Sequence, residues 1–178
     1  MGSLVDREGR PFRVRAAAPD DSPALGAILA ELVQDDLYIL LSPEEVSADD
    51  LHRVEEIARA EALSDRWFLG VVEQGDRVVG MVDVRAAPMR RCSHVCELGI
   101  GLRAVARDRG VGTGVMARVI EIARGMGFEK MRLFVIDGND RARHVYERTG
   151  FRETGRFVRE VRVGDGIADL VVMERDLR

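Results

Sequence analysis

The chain has 178 residues, 46% of them hydrophobic and 33% charged, with 27 basic against 31 acidic side chains for a formal net charge of −4. That is enough for a single domain over residues 1–178 with a substantial core, within the range of soluble globular proteins. The mild acidity argues against nucleic acid as a partner, because phosphate backbones demand a concentrated basic face. No apolar run approaches the ~20 residues that cross a bilayer, so a membrane is not an expected partner either.

The opening MGSLVDREGR lacks the hydrophobic centre of a signal peptide, and Asp6 stands where a myristoylation signal has a hydroxyl. Residues 1–10 are expected to be a flexible N-terminus. Phe12 to Arg15 reads as a short first strand. PDDSPALGAILAEL then opens a helix, with Asp20 or Asp21 as cap and Leu25, Ile28, Leu29 and Leu32 on one face. A second helical region follows Ser47, where Asp50 makes an imperfect capping box and Leu51, Val54, Ile57 and Ala58 keep helical spacing.

From Trp67 the pattern turns to β. RWFLGVVEQGDRVVGMVDVRA is two β-rich runs joined at Gln74-Gly75-Asp76, a hairpin signal, and Cys92 to Leu102 should extend that sheet. A glycine-rich segment leads into a helix over Thr113 to Arg124 that stops at Gly125 or Gly127. EKMRLFVID is a strand and NDRARHVYERTG a helix; the runs Thr154 to Val163 and Ile167 to Arg175 flank a Gly164-Asp165-Gly166 turn. This order predicts an α+β fold with one local strand–helix–strand crossover, not a doubly wound sheet. Arginines 141, 143, 148, 152 and 156 are interleaved with acids and read as a solvated face. Cys92 and Cys96 are expected to be reduced thiols in a cytoplasmic protein.

The segment RDRGVGTGVMARVIEIARGMG, residues 107–127, places Gly110, Gly112 and Gly114 at alternate positions where a helix begins. Glycine lets a ligand approach the backbone, and a helix N-terminus offers unpaired amides with a partial positive charge. With Arg107 and Arg109 nearby, the segment suits a diphosphate. The alternative is a glycine-rich strand–helix turn with exposed arginines. A mononucleotide P-loop is excluded because no lysine follows Gly112. Gly99-Ile-Gly101-Leu-Arg-Ala104 matches the letters of a dinucleotide fingerprint, but no helix starts at 104 and no βαβ unit precedes it.

What fits better is Arg107-x-x-Gly110-x-Gly112 directly after a strand carrying Glu97-Leu98-Gly99-Ile100. This resembles the acetyl-CoA motif of the GNAT superfamily of N-acetyltransferases. Asn139, Ala142, Tyr146 and Gly150-Phe151 resemble that family's downstream N-x-x-A-x-x-x-Y-x-x-x-G-F. The similarity covers roughly residues 67 to 175. It implies a GNAT-like fold, a central mixed, mostly antiparallel sheet of about seven strands flanked by about four helices. Acetyl-CoA would be the co-substrate, with no metal. The amides of Arg109, Gly110, Val111, Gly112, Thr113 and Gly114 would hold its pyrophosphate, with Arg107 and Arg109 in support. The pantetheine arm would run beside Ile100, Gly101 and Leu102, near Asn139 and Ala142.

Acetyl transfer to an amine needs a neutral amine, a stabilised oxyanion and a proton for the departing thiolate. The sequence offers no G-x-S-x-G elbow and no H-E-x-x-H helix, so direct attack in a ternary complex is the economical scheme. Strand alternation puts Val95, Glu97, Gly99 and Gly101 on one face, where the Glu97 carboxylate overlooks a trough without side chains. Glu97 is the candidate base, with Asp83 on the neighbouring strand in reserve. Tyr146 is the candidate acid, although Ala142, Val145, Tyr146 and Thr149 form a stripe in which a tyrosine could serve the core. Asn139 could cap its helix, bond the pantetheine, or both. Cys92-x-His94-x-Cys96 is no metal site, because a flat strand spaces its members ~6.6 Å apart and a fourth ligand is missing. His52 and His144 fall in helices among charges and should face solvent.

The function expected is acetyl transfer to a primary amine: an amino acid, a small amine or a peptide N-terminus. A coenzyme-binding sensor without turnover and a nucleotide-binding module are the competing readings. DDLYILL, residues 35–41, offers acids and an apolar wall for a cationic acceptor. A homodimer is common in the family.

Overall fold

The computed structural model describes residues 4–35, 38–41 and 66–178. The helix expected after Ser47, His52 included, lies outside the described residues. Strands β1 (Leu4–Val5), β2 (Pro11–Ala16), β3 (Trp67–Gln74), β4 (Arg77–Ala86), β5 (Val95–Leu102), β6 (Lys130–Ile136), β7 (Arg152–Val163) and β8 (Gly166–Asp176) form one sheet in the order β1-β2-β3-β4-β5-β6-β8-β7. All neighbours are antiparallel except β5 and β6. Three helices stand among the described residues: α1 (Ser22–Asp35), α2 (Val111–Gly125) and α3 (Asp140–Arg148). None is long and apolar enough to cross a membrane.

The eighth strand comes from the N-terminus, where residues 4–10 close a hairpin onto β2. The buried Asp6 carboxylate organises it, accepting hydrogen bonds from the Glu8 and Arg10 amides, from Arg10 Nε and from Gln74 Nε2 of β3. Gly9 completes the turn at φ +78°, a conformation glycine adopts at no steric cost. Gly75 likewise takes φ +60° in the two-residue turn between β3 and β4.

Alternation along the strands feeds two apolar layers. Leu25 of α1 packs with Ala17, Leu69 and Val71 on one face. On the other, Val111, Val115, Met116, Val119, Ile120 and Ala123 of α2 join Phe12, Val82, Val84, Leu98, Leu133 and Met173. The helical face expected for α1 is buried at Leu25, Ile28 and Leu32, while Leu29 is half-buried. Arg15 ties the first layer together: its guanidinium lies 2.6 Å from Asp21, which opens α1, and 2.7 Å from Glu73 on β3. Asp21 also accepts the Ala18 amide, so its carboxylate closes the turn that precedes α1, where the sequence predicts a cap on the helix's own amides.

The Arg15 guanidinium holds the Asp21 and Glu73 carboxyls below their ordinary values of 3.8 and 4.5. A depressed folded pKa gives stability that is present above the unfolded value and lost as pH falls through the folded one. Asp21→Asn should therefore cost about 1.5–3 kcal/mol at pH 7, the range for hydrogen bonds to charged groups. The gap to the parent should narrow below about pH 4 in urea titrations, as the parent Asp21 takes up its own proton.

Candidate active site

Strand β5 is paired with β4 along Cys96 to Leu102, but with β6 only at Val95, Cys96 and Glu97, opposite Lys130, Met131 and Arg132. Beyond Glu97 the two parallel strands separate. A cavity of about 820 Å³ opens beside them, lined by Glu97 to Leu102 of β5, by Gly110, Gly112 and Thr113 at the start of α2, and by Asn139, Ala142 and Tyr146 at α3. The candidate residues at three distant stretches of sequence thus meet on one wall. Arg107 lines it as well, its Nε donating to the Leu102 carbonyl at 2.7 Å. Arg109 turns its side chain to Glu8 at 3.3 Å, Val111 buries its side chain in the core while its amide stays in the first turn of α2, and Gly114 lies beneath Phe12.

The three glycines have separate physical roles. Gly110 caps α2 at φ +81°, where an L side chain would be strained. Gly112 faces the cavity; a Cβ there would meet Leu102 and Val145 only at ordinary contact distances of 3.6–4.0 Å, so its absence leaves room for a ligand. At Gly114 a Cβ would sit 2.6 Å from Phe12 Cζ, and its amide already bonds the Gly110 carbonyl at 3.2 Å. The helix ladder therefore begins at Gly114. The amides before it, at Val111, Gly112 and Thr113, have no intrahelical partner and make the N-terminus an anion site.

The second motif explains itself through α3. Asn139 caps the helix by accepting the Ala142 amide at 3.2 Å, Gly150 ends it at φ +87°, and Phe151 is buried with its ring centroid 6.2 Å from that of Tyr146. The Tyr146 ring packs against the core, and the residue also lines the cavity. Burial pushes its phenol up to about 12.

Register places Asp83 opposite Gly99 and Arg85 opposite Glu97, on the face that carries α1. Glu97 stands between two guanidiniums, Arg85 at 3.7 Å and Arg132 at 3.5 Å, with a third of its side chain exposed. Asp83 is more deeply placed. Its carboxylate lies across the Gly99 backbone, where any Cβ would collide with it, and Arg85 Nε approaches to 2.7 Å. Burial raises the Asp83 carboxyl and the nearby Glu97 charge adds to this, with Arg85 opposing. Cys92 and His94 both fall in the turn before β5, so neither shares a strand face with the buried Cys96. The exposed His144 lies at the cavity rim. Sequence reasoning missed Arg85, Arg132, Phe134 and, from the N-terminal hairpin, Arg7 as cavity neighbours. Only strand register could have found Arg85, and nothing local marks Arg7.

The profile of the Acetyltransferase (GNAT) family matches residues 29–151. The chain belongs to that family. An uncharacterized N-acetyltransferase of Bacillus subtilis (strain 168), YycN, is 33% identical over 88 residues, which span 49% of this chain and 55% of that protein, a little over half its length. An acetyltransferase of the GNAT family from Streptococcus pneumoniae superposes with a TM-score of 0.83 at 23% identity, over 93% of this chain and 98% of that one. Spermidine N-acetyltransferase from Vibrio cholerae, in complex with CoA and spermine, gives 0.77 at 21% identity, over 93% and 95%. The fold has one strand more than the sequence suggests, and the class is the one expected.

Substitution separates the glycines. Gly114→Ala should lose about 1–2 kcal/mol in denaturant titrations, because overpacking against the immobile Phe12 ring outweighs the ~0.5–1 kcal/mol that alanine gains in a helix. Gly112→Ala should fold at least as stably as the parent.

Proposed function

We propose that the chain is an acetyl-CoA-dependent N-acetyltransferase that moves the acetyl group onto a primary amine by direct attack within a ternary complex. The observation that carries this reading is the meeting of three features in one cavity: the unpaired amides at the α2 N-terminus, the open edge of β5, and a carboxylate pair facing them. The empty space over Gly112 fits the coenzyme's pyrophosphate, with the amides of residues 110–113 as donors. The peptide edge of β5 over Ile100, Gly101 and Leu102 can hydrogen-bond an extended amide chain as an added strand would, which suits pantetheine. Bound acetyl-CoA supplies the acetyl thioester.

The protein's residues then do two things. Glu97, through its carboxylate, takes the proton that the ammonium must lose, directly or through a water, before the neutral amine attacks; the N–C bond then forms, the nitrogen gives up its second proton to solvent, and the C–S bond breaks. A second assignment rests on a specific observation: Asp83 has the raised carboxyl and the clear path over Gly99. Tyr146 faces the leaving sulfur. Its phenol, pushed up to about 12, lies above a thiol near 8.5, so complete proton transfer would be uphill by about 5 kcal/mol. Tyr146 therefore acts by donating a hydrogen bond to the thiolate, which takes its proton from solvent.

The acceptor is read as an amino acid, a small amine or a peptide N-terminus, since Asp83 and Glu97 favour a cation and Leu29, Leu32, Tyr38 and Leu41 line the cavity with apolar surface. The spermine in the Vibrio cholerae structure is one such polycation. With Cys92 and Cys96 both free, the chain is read as cytoplasmic.

Thiol release from acetyl-CoA, measured across an amine panel, tests the activity. Binding without release would make the chain a sensor. Glu97→Gln should lower kcat by ~10²-fold or more, in the range of a placed base. With the raised Asp83 carboxyl as the base instead, the rate should fall on the acid side as that group takes up its proton. If Asp83→Asn removes that acid limb while Glu97→Gln leaves it, the base is Asp83. Tyr146→Phe should lower kcat by roughly tenfold, the worth of one hydrogen bond, with little change in KM for acetyl-CoA. Gly112→Ala should do the reverse, raising that KM while kcat is kept.

A further inference from the structure

Of the two arginines in the glycine segment, one is held to the Leu102 carbonyl and the other leans away to Glu8. A different cation stands over the glycines. The Arg7 amide donates to the Arg109 carbonyl at 2.8 Å, which pins the N-terminal hairpin to the loop before α2. The Arg7 stem lies across Gly110 so closely that a Cβ on that glycine would be 3.2 Å from Arg7 Cγ. Arg7 lines the same cavity as Gly110, Gly112 and Thr113. Its charged surroundings are already engaged: Glu8 pairs with Arg10 and Arg109, and Asp108 faces Arg141 at 3.8 Å. Among the described residues no carboxylate pairs with the Arg7 guanidinium.

We propose that Arg7 is a coenzyme ligand, a guanidinium that the N-terminal hairpin swings over the α2 N-terminus to bind a phosphate of CoA. The inference rests on the reading of that N-terminus as the coenzyme site. Its chemistry is plain: a planar fork of N–H donors matches two phosphate oxygens, and it complements main-chain amides that carry no full charge of their own. The hairpin is built to hold it there. Asp6, one residue before Arg7, is locked by four hydrogen bonds, so the Arg7 backbone is fixed while its side chain stays exposed.

Calorimetric titration of the parent, Arg7→Met and Arg7→Lys with CoA and with dephospho-CoA, which lacks the 3′-phosphate, is the test. Arg7→Met keeps the stem over Gly110 and should weaken CoA binding by about tenfold or more, the worth of one charge-assisted hydrogen bond. Arg7→Lys should recover part of it. An equal loss on both ligands places Arg7 on the pyrophosphate, and a loss confined to CoA places it on the 3′-phosphate; either supports the proposal. Melting temperature should hold, since the side chain is exposed. A parent that binds CoA while Arg7→Met binds both ligands as tightly overturns the proposal alone. A parent that binds neither ligand overturns the coenzyme site itself.

Discussion

The parting of β5 from β6 is the constraint on which the molecule depends. β5 is zipped to β4 as far as Leu102, and β6 is zipped to β8 along its whole length. Each half of the sheet keeps its own twist, and three paired residues are all that join them. Twist accumulates across strands, so two long halves held at one end diverge at the other. The α2 crossover lies against the seam on one face, its Val111, Val115 and Val119 in the shared core. What remains beyond Glu97 is a strand edge that β6 does not pair, its Leu102 carbonyl taken by Arg107. Such an edge invites pairing, and here it faces a cavity instead of the outer rim of the sheet.

The helix that closes the seam also supplies the charge. Right-handed crossover from β5 to β6 sends α2 across the sheet with its N-terminus at the divergence. The amides that no helix can satisfy therefore point into the space that the strands leave. Geometry and electrostatics come from one topological event. The glycines refine it: positive φ at 110 turns the chain, the bare Cα at 112 keeps the space clear, and the bare Cα at 114 lets Phe12 of β2 pack beneath the helix.

Much of this was legible in the residues. The helical stripes of α1 and α2, the Asn139 cap, the Gly150 stop and the hairpin at Gly75 are local features, and local spacing reveals them. Tyr146 was legible as a member of a stripe, and its double placement in core and cavity follows from that position. The companions of Glu97 were not. Arg85 reaches it across an antiparallel pair and Arg132 across the short parallel one. Neither register can be read from one strand alone, because a slip by one residue turns every side chain to the other face. Asp83 over Gly99 has the same character, since the glycine looks like mere flexibility until the carboxylate above it is seen. The N-terminal hairpin was hidden because Asp6 finds Gln74 sixty-eight positions away.

These long-range placements give the cavity two chemically different ends. Around the α2 N-terminus it meets Arg7, Arg107, Arg141 and Arg148 with main-chain donors; around β4 and β5 it meets Asp83 and Glu97. On the proposed function, a polyanionic coenzyme and a cationic amine would each find the matching end, with the open edge of β5 between them. The arginines beside the carboxylates are part of that division. Arg85 offsets the burial that raises Asp83, so that carboxylate can be both poorly hydrated and available. The proposed chemistry therefore depends on the strand register that sets Asp83, Arg85 and Glu97 side by side, just as coenzyme binding depends on the parting of the sheet.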